Sequence, residues 1–479
     1  MRRPAPALAT LALSVSLALS ACVAGPPPEI TTPAPDLPLE FAWAPVADTG
    51  GEVASLLPQA DPAYRALSQA ALADGPTLAE ALARVEAARA GAARSGADRL
   101  PTIGAGGSIT GQRTSPSQFG TGLPPGIAFD AERIAYAANL TASWDVDLFG
   151  RLRAQERAAL ARLDAAGADA AAVRLAVLAE VAGAVIDWRT LQARQAALSE
   201  DLVAAETLVT LTDIRERAGI APGFDRVRAE TAAEASRSRI AALGSEEARI
   251  VGRLVTLTGM GGGAVRDLLM QEQAERLPAA APAALPSQLL MNRPDVLAAQ
   301  ARLAASDADL AATAARRFPQ LSLSAALGLL AFDPGDLFDG DAVVGSASAG
   351  LLAPLLDFGR IEADIDASAA GKRAAFQGYR GAVFAALGEA EAAYGLIAAS
   401  DAEAAASRRE AISADRAAQL AEFRFRAGLE NFLAVLEARR AADASGERAA
   451  AAQGRAHRAR VLLWQALGGD YPASRSTSQ

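Results

Sequence analysis

Trp144-Asp-Val-Asp-Leu-Phe-Gly150-Arg-Leu-Arg-Ala154 is answered further along the chain by Pro354-Leu-Leu-Asp-Phe-Gly359-Arg-Ile-Glu-Ala363. Each glycine is followed 69 residues later by an Arg-Ala-Gly triplet, Arg217-Ala218-Gly219 and Arg426-Ala427-Gly428. Forty residues beyond come Leu257-Thr-Gly259 and Ala466-Leu-Gly468. Equal spacings make these two copies of one structural unit, 209 residues apart. Upstream the offset is 218: Pro76 answers Pro294, and Leu100-Pro101 answers Phe318-Pro319. Nine extra residues therefore lie between Pro101 and Gly150.

The N-terminus carries Arg2 and Arg3, then the apolar run Leu8 to Leu19, then small residues. Residues 1–21 thus have the pattern of a secretory signal, too short for a spanning helix. Leu19-Ser20-Ala21-Cys22 matches the bacterial lipobox. That resemblance implies cleavage before Cys22, an N-acyl group and a thioether-linked diacylglycerol. Three acyl chains, at about 0.8 kcal/mol per buried CH₂, anchor firmly where one does not. The alternative is a plain cleavage site beside an incidental cysteine. Val23 is not an aspartate, so the inner-membrane retention rule is unmet and the expected destination is the outer membrane.

Cys22 is the only cysteine, which excludes internal disulfides and thiolate metal clusters. The only histidine, His457, sits in an Arg-rich run and reads as an exposed helical side chain. With one histidine and no nucleophile–base motif, an enzyme is not expected, and neither is a metal or other cofactor apart from the lipid. The formal charge is −9, or −11 once Arg2 and Arg3 are removed, which disfavours nucleic acid as a partner. The mature chain shows no apolar run of about twenty residues, so any passage through lipid must be as a barrel.

Residues 22–62 are proline-rich and read as an extended tether; repeat 1 spans 63–259, a linker 260–292, repeat 2 293–469, and a flexible tail 470–479. Gly259-Met-Gly-Gly-Gly263 lacks a P-loop's Lys-Ser/Thr ending and reads as a helix stop followed by flexible linker. Within the repeats, Trp188, Leu191, Leu198, Leu202, Ala205 and Val209 keep three-four spacing, and Phe376, Val383, Ala390, Ile397 and Ala404 recur every seven residues. Arg151 to Glu216 runs without proline, about 100 Å of helix. The shorter stretches Thr77–Leu100 and Ile220–Thr258 nearly match it together, as two helices stacked beside one long one.

Strand alternation appears at Ile134 to Trp144 and Leu321 to Leu329, with weaker partners at Thr102–Thr114 and Val343–Leu352. Each repeat thus carries one hairpin, at about 102–146 and 320–356, with loops at Ser115–Asp130 and Asp333–Asp341. Such strands are the signature of an outer-membrane barrel. Four strands cannot close one, and lipid does not tolerate an open edge. Two copies would give a filled eight-strand barrel; three would give twelve strands and a pore. Asp333, Asp336, Asp339 and Asp341 could bind cations, but lack EF-hand spacing and read as a solvated loop.

These motifs, with Asn292-Arg-Pro-Asp295, Phe423-Arg-Phe-Arg-Ala-Gly428 and Val435-Leu-Glu-Ala438, resemble the TolC family of outer-membrane factors in its lipoprotein (OprM/NodT-like) branch. The resemblance covers residues 23 to about 470. It implies a mainly α fold with β: an antiparallel α-helical coiled-coil tunnel, plus four strands per chain in a homotrimeric twelve-stranded barrel. It implies partners as well: a periplasmic membrane-fusion adaptor, an inner-membrane transporter and outer-membrane lipid. The implied role is passive exit of small molecules, with selection and energy supplied by the partners. Adaptor contact is then expected at Arg217, Ala218, Gly219, Arg426, Ala427 and Gly428, which otherwise only form turns. A periplasmic gate is expected at Leu433 and Glu437, with Arg228, the first-repeat equivalent of Glu437, as its latch; Ala434 stands where some relatives carry a second acid. The alternative there is a solvated helix face. Two rival functions remain: an exit duct for type I protein secretion, and a non-conducting periplasmic coiled-coil scaffold lipoprotein.

Overall fold

The computed structural model describes residues 29–45, 53–113, 132–272, 279–283, 286 and 292–469. The signal, Cys22, the Ser115–Asp130 loop and the 470–479 tail lie outside them. The described elements run α1 (Pro62–Asp74), α2 (Pro76–Ala97), β1 (Thr102–Arg113), β2 (Glu132–Val146), α3 (Arg151–Arg217), α4 (Gly223–Thr258), α5 (Gly262–Leu269), α6 (Pro294–Ala314), β3 (Gln320–Ala331), β4 (Val343–Leu352), α7 (Arg360–Arg426) and α8 (Phe432–Ala466). The duplication is carried into structure. Helices α3 and α7 are both 67 residues long and start 209 positions apart, at Arg151 and Arg360.

The chain divides into two compact units. One comprises residues 1–33, 87–163 and 301–377; the other comprises 34–86, 164–300 and 378–479.

The first unit holds a four-stranded antiparallel sheet in the order β1-β2-β3-β4. Thr102 faces Ser143 across the first hairpin and Gln320 faces Leu352 across the second. The two hairpins join in the middle, where Tyr136 faces Ala331 and Val146 faces Leu321. The outer strands β1 and β4 are exposed along their whole length. Cross-strand pairs such as Ser324 Oγ with Ser348 Oγ at 2.7 Å, and Arg133 over the Phe332 ring at 4.3 Å, hold the sheet laterally. The Trp144 indole N–H donates to the Arg99 carbonyl at 2.8 Å, tying β2 to the end of α2. After each hairpin an aspartate caps the next long helix: Asp147 accepts from the Leu152 and Arg153 amides, and Asp357 from Gly359 and Ile361. Those backbone donors favour the ionised side chains and hold the carboxyl of Asp357 below the usual range.

The second unit is a helical bundle. Val181, Val185 and Trp188 of α3 pack with Leu254 of α4, Val383 and Tyr394 of α7, and Leu463 and Trp464 of α8. Alanines at many contact positions, Ala182, Ala184, Ala390 and Ala459 among them, allow the backbones to approach closely. At Gly454 an added Cβ would collide with Thr190, so the α3–α8 contact requires glycine there.

Four expectations need correcting. The segment after Gly259 is not wholly linker: it folds into α5, which buries Val265 and Leu269 and whose Leu269 carbonyl accepts from Trp188 and Arg189. The proline-rich segment is not only a tether, because Phe41, Leu56 and Leu57 enter the bundle core. His457 is half-buried rather than exposed, on the wall of a cavity of about 720 Å³ lined also by Arg189 and Arg460. Finally, α7 does contain an 18-residue window apolar enough for a membrane span, with mean hydropathy 1.4. A third of that window, Val383, Ala386, Ala390, Ala393, Tyr394 and Ile397, is buried in the bundle core, so this part of its apolarity serves helix packing.

Candidate functional site: the two helical hairpin tips

Both long helices stop at an Arg-Ala-Gly triplet for the same physical reason. Gly219 and Gly428 adopt φ of +71° and +75°, a region costly for any residue with a Cβ. At the first tip the Ile220 amide donates to Arg215 at 3.0 Å and the Gly219 amide to Glu216 at 2.9 Å. At the second, Leu429 donates to Arg424 at 2.8 Å and Gly428 to Phe425 at 3.0 Å. Both are Schellman motifs, which satisfy the helix's last carbonyls while turning the chain back. Asn431 then caps α8, accepting from the Ala434 amide at 2.9 Å.

The tips pack on one another through a small core of Leu208, Ala229, Phe425, Phe432, Val435 and Leu436. Arg215 of the first hairpin donates to the Phe425 carbonyl of the second at 3.1 Å and lies over its ring at 4.4 Å. Ion pairs brace the periphery: Arg226 bridges Glu216 and Glu230, and Glu422 holds both Arg426 and Arg439.

The predicted contact residues sit on the outer surface of this core. Arg217 is 79% exposed while keeping an ion pair with Asp213, and Ala218, Gly219, Arg426, Ala427 and Gly428 are exposed beside it. Large apolar side chains surround them: Ile220 and Phe224 on the first tip, Phe423 and Leu429 on the second. Leu433 and Glu437 are both exposed and lie four residues apart on α8, hence on one face. Arg228 is not brought to Glu437 within the chain; its guanidinium lies 4.1 Å from the centroid of the Phe224 ring. No ion pair joins Arg228 to Glu437 among the described residues.

Deeper in the bundle lies a charged cluster that sequence reading missed. The Asp201 carboxyl of α3 lies against that of Asp443 of α8, flanked by Arg239 of α4 and Arg439 of α8. Burial first, and then the neighbouring Asp443 carboxyl, push Asp201 up to about 8. Asp201 Oδ2 and Arg439 Nε are buried without a hydrogen-bond partner. A proton on the carboxyl pair lets one oxygen donate to the other and removes the like-charge repulsion. No local motif signals the pair, because its members are 242 positions apart in the chain.

Among the described residues, no three His, Cys, Asp or Glu side chains converge to hold a metal. The ~720 Å³ cavity has its cations committed within the chain, Arg189 to Asp61 and Arg460 to Asp401.

Comparison with known proteins places this architecture. The family described as outer membrane efflux protein matches residues 67–260 and 285–469. The outer membrane protein OprJ of Pseudomonas aeruginosa is 31% identical over 490 aligned positions, covering 99% of this chain and 98% of its own length. The pyoverdine export outer membrane protein OpmQ of the same species is 31% identical over 417 positions, 86% of each chain. The solved structure of the outer-membrane channel OprN superposes with a TM-score of 0.81 at 27% identity, covering 93% of this chain and 99% of that one.

Proposed function

This chain belongs to the outer membrane efflux protein family, and on that premise we propose that it is the exit channel of a tripartite efflux pump. It resides in the outer membrane, with its helical tunnel in the periplasm. The relatives are channels and transport proteins rather than enzymes. The observation that carries the reading is the pairing, in one duplicated chain, of an antiparallel sheet with two open edges and two helical hairpins with exposed tips.

The open edges support closure between copies. A homotrimer supplies twelve strands and leaves a conducting lumen, whereas two copies give a barrel filled by its own side chains. The exposed arginines and apolar side chains at the tips suit docking of a periplasmic adaptor, which would link the channel to an inner-membrane transporter. Leu433 and Glu437 form the gate. Three copies of Glu437 around the lumen make an acidic ring that favours cations, and Arg228 reaches it only from a neighbouring copy. Cys22 carries the lipid. Small molecules are the cargo, in keeping with two relatives named for pyoverdine and toluene efflux. Nothing in the family assignment makes the chain its own energy source, so conduction is passive.

Planar-bilayer recording of the purified full-length protein tests this reading. Discrete conducting steps support a channel; verified insertion without conductance would leave the scaffold reading standing.

A further inference from the structure

The strand registers sort the sheet's side chains onto two faces of different chemistry. Tyr136, Leu140 and Trp144 of β2 share the apolar face with Leu323 and Leu327 of β3 and Leu351 of β4. Tyr136 and Trp144 stand eight residues apart, about 26 Å along the strand, the order of an apolar band flanked by aromatic girdles. The other face is polar. Thr102, Ser143, Ser324 and Ser348 form one hydroxyl row across all four strands. Among the described strand residues this face carries only two ionisable side chains, Arg133 and Asp145.

Those two lie at opposite ends of β2, twelve residues or about 40 Å apart, several times the physiological screening length. Each therefore acts on its surroundings without the other. Arg133 is engaged with the Phe332 ring. Asp145 is not covered in this way. The residue facing it is Ser322, and the next one across the sheet is Gly350, so small neighbours leave the carboxylate open. Its side chain is 64% exposed, and its ion-pair partner Arg151 stands 3.9 Å away with only 23% exposure. Asp147, two residues on, is the contrast: its carboxylate is taken up by the Leu152 and Arg153 amides at the start of α3.

We propose that Asp145 is the charge-selecting residue of the sheet, an open carboxylate at the helix-proximal end of an otherwise neutral polar wall. It draws cationic solutes to that end of the wall and disfavours anionic ones, while the hydroxyl row beyond it treats both signs alike. Arg151 offsets part of the field. The inference rests on the exit-channel reading, in which the polar face lines water and the apolar face meets lipid. It is independent of the gate, because Asp145 belongs to the sheet and Glu437 to the helical bundle.

The field of Asp145 can be mapped with cysteines on the polar face. Ser143→Cys lies two residues from Asp145, about 7 Å, and Asn139→Cys six residues, about 20 Å. Each purified full-length variant is reconstituted in neutral phospholipid vesicles at about 10 mM salt, where the screening length is about 30 Å. Rates of modification by a cationic and an anionic methanethiosulfonate are read by mass, with the parent, which retains Cys22, as blank. Coulomb's law in water predicts that Ser143→Cys favours the cationic reagent by about twofold to fivefold, and Asn139→Cys by less than about 1.5-fold. Adding Asp145→Asn should bring Ser143→Cys down to the Asn139→Cys ratio, and adding Arg151→Gln should raise it. A ratio at Ser143→Cys that Asp145→Asn does not move would overturn the proposal. Reaction at Ala142→Cys with Ser143→Cys silent would overturn it too, by reversing the faces. An Asp145-dependent ratio in a protein that carries no current would uphold the charge-selecting role and overturn the exit-channel reading alone.

Discussion

Asp201 sets a pH response that belongs to a single side chain. Its folded pKa of about 8 lies well above the unfolded carboxyl value of 3.8, so the folded protein holds this proton more tightly. The stabilisation is fully present below about pH 4 and is lost as pH rises through about 8. Asp201→Asn keeps the neutral, hydrogen-bonding state at every pH. The variant should match the parent at about pH 4, draw ahead as pH rises, and be more stable at pH 8.5, by on the order of 1 kcal/mol once solvent screening of a half-buried group is allowed for. Thermal unfolding of the helical signal by circular dichroism across that range is the check; equal pH slopes would refute the shared proton. This pair could not be read from the sequence. Charged residues separated by half the chain carry no periodic signal, and only the packing of α3 against α8 brings them together. The tip glycines were legible because the duplication repeated Arg-Ala-Gly at equal spacing, and a reversing helix needs a residue tolerant of positive φ.

At the scale of elements, long helices and strands were legible where one period ran unbroken. α3 and α7 follow proline-free stretches with apolar spacing, and β2 and β3 follow strict alternation. Short or composite elements were not. α5 has eight residues and opens on two glycines, so propensity argued for linker, while burial of Val265 and Leu269 against the bundle decides for helix. Phe41, Leu56 and Leu57 were obscured by the prolines around them, although a proline-rich strand of chain can lay side chains into a core formed by other elements. The edge strand β4 provides the element-level prediction. Deleting Val343–Leu352 leaves the helical bundle its own core but removes an edge that the proposed closure between copies requires. The deleted chain should lose outer-membrane insertion, read by fractionation and protease accessibility. Retained insertion would mean that the strands do not form the barrel.

At the scale of the whole molecule, the fold class and the family were legible because weak motifs recurred in order and twice over, each constraining the next. The proposed gate belongs to this scale, since it requires copies of α8 to surround one lumen. Glu437→Ala should raise single-channel conductance and weaken cation preference; if both stayed at parental values, Glu437 would lie outside the conducting path. Arg228 illustrates what repeat logic alone cannot supply. Repeat equivalence matched it to Glu437 by position, yet within the chain its cation is taken up by the Phe224 ring four residues earlier.

On the proposed function, this chain carries small molecules out through the outer membrane. Its most direct test is accumulation of a panel of fluorescent amphiphilic dyes and antibiotics in cells lacking the chain, against the same cells with it restored and with other exit ducts removed. Higher accumulation without the chain, corrected by the intact gene product, is the predicted result. Equal accumulation across the panel, with expression and insertion verified, would contradict small-molecule efflux and leave polypeptide export as the surviving reading.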